Sequence, residues 1–152
     1  MSIRSAAKAI IIHEGRLLVN VYENEKGIHY ALPGGGQDKE ETLREAVVRE
    51  CREEINCAVE AGEMLFVREY INTRLKNCEG IEAFHQIDHF FRCRLLPGHQ
   101  PAMGPGADQN QVGIDWLPLE RLQEARFFPA ALIPWLADLD AVERPVYLGA
   151  VD

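Results

Sequence analysis

The sequence lacks cysteines that are spaced as a metal site requires. Among its 152 residues are four cysteines, and no two form a CxxC pair, which argues against a structural zinc site. A chain of this length buries roughly 68–70% of its unfolded surface, so it needs no disulfide framework in order to fold. We therefore expect Cys51 and Cys57, which lie in or beside apolar runs, to be core residues, and residues 1–152 to form one domain.

Long apolar runs and an excess of basic residues are also absent. The apolar run Ala9–Ile12 is too short for a signal peptide or a membrane span, so we expect a cytoplasmic protein without membrane association. The 24 acidic and 16 basic residues give a net charge of −8, which argues against stable nucleic-acid binding through a broad basic face. An anionic ligand would then need another source of attraction, and a divalent cation is the obvious candidate.

Apolar periodicity and chain-breaking residues predict many strands and one strong central helix. Strands are predicted at 8–13, with 17–22 as a hairpin partner, and at 28–32, 59–71 (as one strand or two), 83–96, 112–117 and 146–148. Helices are predicted from 39 or 40 to 55, with Asp38 as N-cap, and at 118–125 and 129–139. Residues 33–36 should end the strand before them. The Pro- and Gly-rich segment 97–111 is typical of an active-site lid. The pattern predicts an α/β sandwich around a mixed sheet.

The predicted central helix carries three carboxylates near its C-terminal end, where they should cost stability. Glu50, Glu53 and Glu54 repel one another at this spacing, and the negative end of the helix dipole opposes them. On a helical wheel, Glu50 and Glu54 fall within the arc of the apolar stripe 43, 47, 51 and 55. Such carboxylates need either a cleft or a compensating cation, and their oxygens suit Mg²⁺ or Mn²⁺. The spacing alone does not decide between a metal site and a solvated face.

The wider sequence around these carboxylates resembles the Nudix box. From Gly35 it runs GGQDKEETLREAVVRECREEINC, which follows the pattern glycine, five residues, Glu, seven residues, Arg-Glu-apolar-x-Glu-Glu-x-Gly-apolar. The one departure is Asn56, which stands where the pattern has its second glycine. Asparagine is the usual substitute for glycine in the left-handed residue that closes a helix, so we expect Asn56 to be a structural replacement. The segments 32–34 and 116–119 also resemble Nudix flanks.

The resemblance implies a Nudix-type α/β/α sandwich around a mixed β-sheet, and an enzyme that hydrolyses the diphosphate bond of a nucleoside diphosphate linked to another moiety. It implies Mg²⁺ or Mn²⁺ as cofactor, held by Glu50, Glu54 and the carbonyl of Gly34. Glu53 is implied as a further ligand or as a base for the attacking water. The glycines at 35 and 36 would let phosphates approach the backbone.

Two other box residues receive supporting roles from the resemblance. Arg49 is implied to orient the carboxylates, and Glu41 to fix the geometry between the loop and the helix. Homodimers are common among relatives, so a homodimer is a further possibility. The substrate itself is not readable from these residues, although a nucleotide-type small molecule is implied.

Outside the box, some acidic and aromatic residues are candidates for further roles. Asp108, in segment 97–111, is the first candidate for an additional acidic ligand or base. Glu69, Glu82, Asp88 and Asp115 follow it, although a surface carboxylate is the simpler interpretation of each. Tyr22, Tyr30 and Phe128 could stack on a base, but packing in the core or at its rim is the simpler interpretation of these three.

Two alternative functions on the same fold are considered. An isoprenoid diphosphate isomerase would need a protonating cysteine paired with an acid near a double bond, and the cysteines here suggest no such pair. A nucleotide-binding sensor with weak catalysis would typically lose box residues and carry a DNA-binding segment. This chain keeps the charged residues of the box, which favours the hydrolase.

Overall fold

The computed structural model describes residues 2–75, 80–98 and 100–152. The strands are β1 (Arg4–Ile10), β2 (Ile12–His13), β3 (Arg16–Asn24), β4 (Gly27–Ala31), β5 (Gly34–Gly36), β6 (Val59–Ile71), β7 (His85–Leu95), β8 (Gln111–Pro118), β9 (Phe127–Phe128) and β10 (Tyr147–Ala150). The helices are α1 (Leu43–Ile55), α2 (Asn72–Leu75) and α3 (Ile133–Leu136), and short 3₁₀ turns cover Leu119–Arg121 and Ala130–Leu132. No helix in the described ranges is long and apolar enough to cross a membrane.

The strands form two mixed sheets that lie against each other. The first sheet has the order β10-β6-β7-β1-β5, in which β1 pairs in parallel with β7 and antiparallel with β5. The second sheet has the order β2-β3-β4-β9, and β8 also pairs with β3. The predicted hairpin is confirmed, since Ile12 pairs with Leu17. The predicted segment 59–71 is one strand with register shifts near Met64.

Two apolar clusters separate the layers of the molecule. One lies beneath α1 and includes Val47 and Ile55 of the helix together with Phe91 of β7. The other lies between the sheets and beneath the C-terminal turns, and includes Phe66, Phe90 and Leu136. The chain therefore has the predicted mixed α/β sandwich, with its strands divided between two sheets.

The cysteines of the described residues are free thiols in the interior. Cys51, Cys57 and Cys93 are all buried and form no disulfide, and Cys51 and Cys57 lie in the predicted apolar core. Burial raises the pKa of Cys93 to about 12, so this thiol stays protonated and packs as a small apolar side chain. Cys78 lies outside the described residues.

Helix α1 begins later than predicted, and Asp38 is not its cap. The N-cap is Thr42, whose hydroxyl accepts a hydrogen bond from the backbone N–H of Glu45 at 3.1 Å. The Glu45 carboxylate accepts in return from the backbone N–H of Thr42, which completes a capping box. At the other end Asn56 has φ 54° and ψ 37°, the left-handed conformation expected for it.

The glycines at 34–36 form a strand of their own, whereas the sequence predicted only that they end the strand before them. Strand β4 does end before Pro33, but Gly34 then pairs with Lys8 and Gly36 pairs with Ala6 of β1. A Cβ atom on Gly34 would lie 2.2 Å from the carbonyl oxygen of Ala7, and its φ is +144°. Only glycine fits at this position, because any side chain would collide with β1.

The two helices predicted near the C-terminus are mostly turns. Segment 118–125 contains the 3₁₀ turn Leu119–Arg121, continued by i→i−3 bonds such as Glu124 N to Arg121 O. Segment 129–139 contains a second 3₁₀ turn and the four-residue α3. Pro134 has no N–H to donate to Ala130, so a continuous helix from 130 would lack that bond, and the helix begins at Ile133.

Candidate active site

Glu54 is the most buried carboxylate near the end of α1. Its side chain is 0% exposed. One carboxylate oxygen accepts a hydrogen bond from Nδ2 of Asn20 on β3 at 3.0 Å, and the other accepts from the backbone N–H of Gly34 at 2.9 Å. Three separate elements, α1, β3 and β5, therefore fix the position of this group.

The environment of Glu54 disfavours its negative charge. Burial raises the pKa of Glu54 to about 8, and the nearby charges of Asp108 and Glu50 add to the rise. The Lys8 ammonium group and the Gly34 N–H act in the opposite direction. Lys8 Nζ also lies 3.5 Å from the carbonyl oxygen of Gly34. At neutral pH the site therefore favours either a proton or a cation on this carboxylate.

Glu50 lies one turn before Glu54 and packs against the glycine strand. Its side chain is 12% exposed. A Cβ atom on Gly35 would lie 2.6 Å from Oε1 of Glu50, so the carboxylate rests directly on the glycine backbone. Burial raises the pKa of Glu50, while the Arg49 guanidinium opposes the rise. The sequence placed Glu50 and Glu54 on the inward arc of the helix, and the structure brings both to β5.

Arg49 connects the glycine strand, the loop before α1 and the helix carboxylates. Its guanidinium donates to Glu41 at 2.7 and 3.1 Å, to Glu50 at 3.0 Å and to Glu53 at 3.2 Å, and to the carbonyl oxygen of Gly36 at 2.9 Å. The carboxylates of Glu41 and Glu50 raise the pKa of Arg49, and Arg49 in turn lowers the pKa of Glu41. Arg49 therefore contacts the helix carboxylates directly, and Glu41 joins it to the loop before α1.

Glu53 lies at the edge of the site, with 43% of its side chain exposed. Residues 102–106, which we call the strap, cross the helix end beside it. The strap backbone donates from Ala102 to Ile55 O at 3.0 Å, from Gly104 to Glu54 O at 2.9 Å and from Gly106 to Glu53 O at 2.8 Å. These carbonyls have no partner within the helix, so the strap satisfies the open end of α1. The segment predicted as a lid is thus hydrogen-bonded to the helix.

Asp108 follows the strap and is the one outer acidic candidate that lies near the helix carboxylates in the described part of the chain. Its Oδ2 accepts from the Tyr22 hydroxyl at 3.2 Å, and its charge raises the pKa values of Glu50 and Glu54. The Tyr22 oxygen also accepts from Asn20 Nδ2 at 3.2 Å. A row of hydrogen bonds therefore connects Asp108 through Tyr22 and Asn20 to Glu54.

Sequence reasoning missed Asn20 and the hydrogen-bonding role of Tyr22. Asn20 is 0% exposed on an otherwise apolar strand, and its Oδ1 accepts no hydrogen bond from the described residues. A polar residue within the predicted strand 17–22 was the available signal, because a buried amide needs partners. Burial and the charge of Glu54 raise the pKa of the Tyr22 hydroxyl, so Tyr22 stays protonated and can donate to Asp108.

The other acidic candidates are not brought to this site. Asp88 is fully buried and pairs with Arg68 at 2.8 Å, while Glu69 contacts His85 at 2.8 Å. Glu82 and Asp115 are exposed. Of the predicted acidic candidates outside the box, Asp108 alone is therefore described beside Glu50 and Glu54.

The residues at the helix end fit a hard divalent cation in chemistry and in charge. Carboxylate oxygens of Glu50 and Glu54 and the carbonyl oxygen of Gly34 are the donor types that Mg²⁺ and Mn²⁺ prefer. Burial raises the pKa of both carboxylates and neighbouring negative charges add to the rise, so a bound cation would stabilise their ionised forms. In the described ranges, no three His, Cys, Asp or Glu side chains are close enough together to form a metal site by themselves. A cation here would draw on Glu50, Glu54 and the Gly34 carbonyl together.

Comparisons with known proteins agree with this fold. The family model of the NUDIX domain matches residues 3–136. None of the curated proteins matches the sequence. Similar solved structures include a MutT NUDIX hydrolase from Burkholderia pseudomallei, at 23% identity over 79% of this chain and 86% of that chain, with a TM-score of 0.61.

Two further solved structures cover nearly the whole chain. An ADP-ribose pyrophosphatase from Streptococcus suis is 20% identical over 96% of this chain and 98% of that chain, with a TM-score of 0.64. A UDP-X diphosphatase is 17% identical over 97% of this chain and 67% of that chain, with a TM-score of 0.68. At these identities the structural likeness establishes the fold.

Proposed function

This chain belongs to the NUDIX domain family and is a Nudix hydrolase, and we propose that it hydrolyses the diphosphate bond of a nucleoside diphosphate linked to another moiety. The proposal includes Mg²⁺ or Mn²⁺ as cofactor and takes residues 1–152 as one Nudix domain. The buried carboxylate of Glu54, fixed by the backbone of Gly34 and lying beside Glu50, is the observation that carries the proposal.

In this proposal, Glu50, Glu54 and the Gly34 carbonyl hold the cation. A bound divalent cation neutralises phosphate charge and stabilises the negative charge that develops as water attacks phosphorus. The glycine backbone at 35 and 36 leaves room for phosphate oxygens, because no side chain projects from it. An acidic protein can then bind an anionic substrate.

The remaining box residues position the carboxylates of the cation site and offer a base for the attacking water. Arg49 keeps Glu50 and Glu53 in position through direct hydrogen bonds, and Glu41 anchors Arg49. Glu53, which is partly exposed, is proposed as a further ligand or as the base that takes a proton from water. Asp108 is a second candidate for either role, because Tyr22 holds it on the same side of the helix end.

The names of similar structures support the reaction class and leave the substrate open. One is named for ADP-ribose and another is named a UDP-X diphosphatase. Both names describe cleavage within a diphosphate, which is the bond proposed here. The cytoplasmic location and the homodimer stay predictions from the sequence.

The test is an initial-rate comparison over a substrate panel. The panel contains ADP-ribose, a dinucleoside polyphosphate, a nucleotide sugar and an oxidised nucleoside triphosphate, each with Mg²⁺, with Mn²⁺ and with EDTA. We expect metal-dependent hydrolysis of at least one member. Glu54→Gln should fold and lose most turnover, whereas Glu120→Gln, at an exposed position far along the chain, should not. No hydrolysis of any member, together with tight binding of one, would favour the sensor.

A further inference from the structure

Lys8 is the only charged residue of β1 after Arg4, and the alanines on either side of it are fully buried. Its cross-strand neighbours are Gly34 on β5 and Phe90 on β7, and neither carries a charge that pairs with an ammonium group. A partly buried ammonium group gives up some of its hydration, so a lysine at this place needs a physical reason.

The side chain of Lys8 lies along Gly34 and ends at its carbonyl oxygen. A Cβ atom on Gly34 would lie 2.9 Å from Cδ of Lys8, so the aliphatic stem packs directly on the glycine backbone. The Nζ atom lies 3.5 Å from the Gly34 carbonyl oxygen, which is its one hydrogen-bond partner among the described residues. The same part of the chain provides no carboxylate in ion-pair contact with this ammonium group.

Gly34 connects Lys8 to the buried carboxylate of Glu54. The N–H of Gly34 donates to Glu54 at 2.9 Å and its carbonyl oxygen accepts from Lys8, so a carboxylate and an ammonium group contact opposite ends of one residue. The two direct donors to Glu54, the Asn20 amide and the Gly34 N–H, are both neutral. Burial raises the pKa of Glu54, and the Lys8 ammonium group is the strongest opposing influence.

Arg49, the other cation beside the helix carboxylates, is engaged elsewhere. Its guanidinium donates to Glu41, Glu50 and Glu53 and to the backbone, and these five contacts do not include Glu54. The two cations therefore divide the carboxylates between them. Lys8 is the positive charge that Glu54 faces when no metal is bound.

The proposed cation site and Lys8 share one atom, the carbonyl oxygen of Gly34. That oxygen is a proposed ligand of Mg²⁺ or Mn²⁺ together with Glu54, and it also contacts the Lys8 ammonium group. An ammonium group beside a divalent cation is repelled, and the repulsion is stronger in a partly buried place than in water. The lysine stem is flexible, so the charged end can move to solvent while the stem stays on the glycine.

We propose that Lys8 is the resident counter-ion of the empty cation site and that a divalent cation displaces its ammonium group from the Gly34 carbonyl. Lys8 thereby determines the affinity of the site, because the incoming cation replaces a positive charge that is already present. The inference rests on the proposed function for the position of the cation. It goes further by assigning the strength of cation binding to a residue of β1, outside the Nudix box.

The test counts bound Mn²⁺ directly and needs no turnover. The EPR signal of free Mn²⁺ gives its Kd for the wild type and for Lys8→Met, which keeps a stem of similar length and removes the charge. We expect Lys8→Met to bind Mn²⁺ about tenfold more tightly. Unchanged or weaker binding by Lys8→Met would overturn the inference, because Lys8 would then have no competing charge at the site.

Two further variants separate the charge of Lys8 from its shape and from the charge of the whole protein. Lys8→Arg keeps the charge and should bind Mn²⁺ within about threefold of wild type. Lys26→Met, at an exposed lysine in the β3–β4 turn, is the matched control and should leave the Kd unchanged. Equally tight binding by Lys26→Met and Lys8→Met would contradict a local role for Lys8.

A structure of the wild type with Mn²⁺ tests the displacement without any variant. In crystals soaked with Mn²⁺, Nζ of Lys8 should lie well beyond its present 3.5 Å from the Gly34 carbonyl oxygen. An ion on that carbonyl oxygen with the ammonium group still in place would overturn the displacement.

This inference and the proposed function fail separately. If Lys8→Met binds Mn²⁺ more tightly and wild-type protein hydrolyses no panel member, the proposed function is wrong and the role of Lys8 stands. If wild-type protein hydrolyses a nucleotide with Mn²⁺ and Lys8→Met binds the ion no more tightly, the role of Lys8 alone is wrong. If neither protein binds Mn²⁺, both are wrong.

Discussion

Gly104 lies where the strap crosses the end of helix α1, and its replacement by alanine tests whether the strap is a structural part of the site. A Cβ atom on Gly104 would lie 2.2 Å from the carbonyl oxygen of Glu53, whereas ordinary contacts begin at 3.4 Å. The obstacle is backbone, which cannot rotate away as a side chain can. The strap would have to retreat from the helix by about 1 Å.

The expected loss of stability follows from the hydrogen bonds that this movement breaks. Gly104 N to Glu54 O is 2.9 Å and Gly106 N to Glu53 O is 2.8 Å, so a retreat of about 1 Å takes both beyond bonding distance. Each backbone bond contributes about 0.5–1.5 kcal/mol. We therefore expect Gly104→Ala to lower the free energy of unfolding by about 1–3 kcal/mol.

The assay is urea unfolding of the metal-free protein, followed by tryptophan fluorescence. Gly113→Ala is the matched control, since Gly113 lies on β8 and a Cβ atom there meets nothing within 4 Å. Its free energy of unfolding should stay within about 0.5 kcal/mol of wild type. Equal stabilities of Gly104→Ala and Gly113→Ala would refute the reasoning, because the strap would then be free to move without cost.

Three further predictions concern the residues that surround the helix end. Arg49→Lys should lower the free energy of unfolding by about 1–3 kcal/mol and remove most turnover, because one ammonium group cannot replace the five hydrogen bonds of the guanidinium. Arg52→Lys, at an exposed position on the same helix, should leave both stability and turnover unchanged. The pKa of Glu54 is about 8 in the folded protein, which is above its value in the unfolded chain. The contribution of Glu54 to the free energy of unfolding is therefore fully present below about pH 4.5, where the carboxyl is protonated in both states, and is lost as the pH rises through 8. Metal-free protein should thus become less stable by up to roughly 4 kcal/mol between pH 5 and 8, and Glu54→Gln should not; equal pH dependence of the two would contradict this. Mg²⁺ or Mn²⁺ at a hundred times its Kd should raise the Tm by about 5–10 °C in a thermal melt, and the absence of a shift would count against the cation site.

The parts of the fold set by local periodicity could be predicted from the sequence. The C-terminal end and the inward face of α1 followed from its apolar spacing, and Asn56 followed from the backbone conformation that closes a helix. The Thr42 cap was also readable, because Thr42 and Glu45 have the capping-box spacing, but Asp38 was chosen in its place. The signal for this cap is therefore present in the local sequence.

Other features depend on contacts between distant segments, and no local signal contains them. The glycines at 34–36 are poor strand formers, yet they pair with β1 because only glycine can approach it so closely. Likewise the strap shows proline and glycine but does not show which carbonyls its N–H groups will meet. Asn20 could be recognised as polar, but its partner on a helix 34 positions later could not.

The three glutamates at the end of α1 are compensated unequally, and the difference singles out one of them. The strap donates N–H groups to the last carbonyls, which offsets the negative end of the helix dipole. Arg49 offsets the charges of Glu50 and Glu53 directly. Glu54 receives only neutral N–H donors and the charge of Lys8, and it keeps a pKa of about 8. The cost of placing carboxylates at this helix end is therefore concentrated on Glu54, so a cation bound there would relieve more unfavourable charge than at either neighbour.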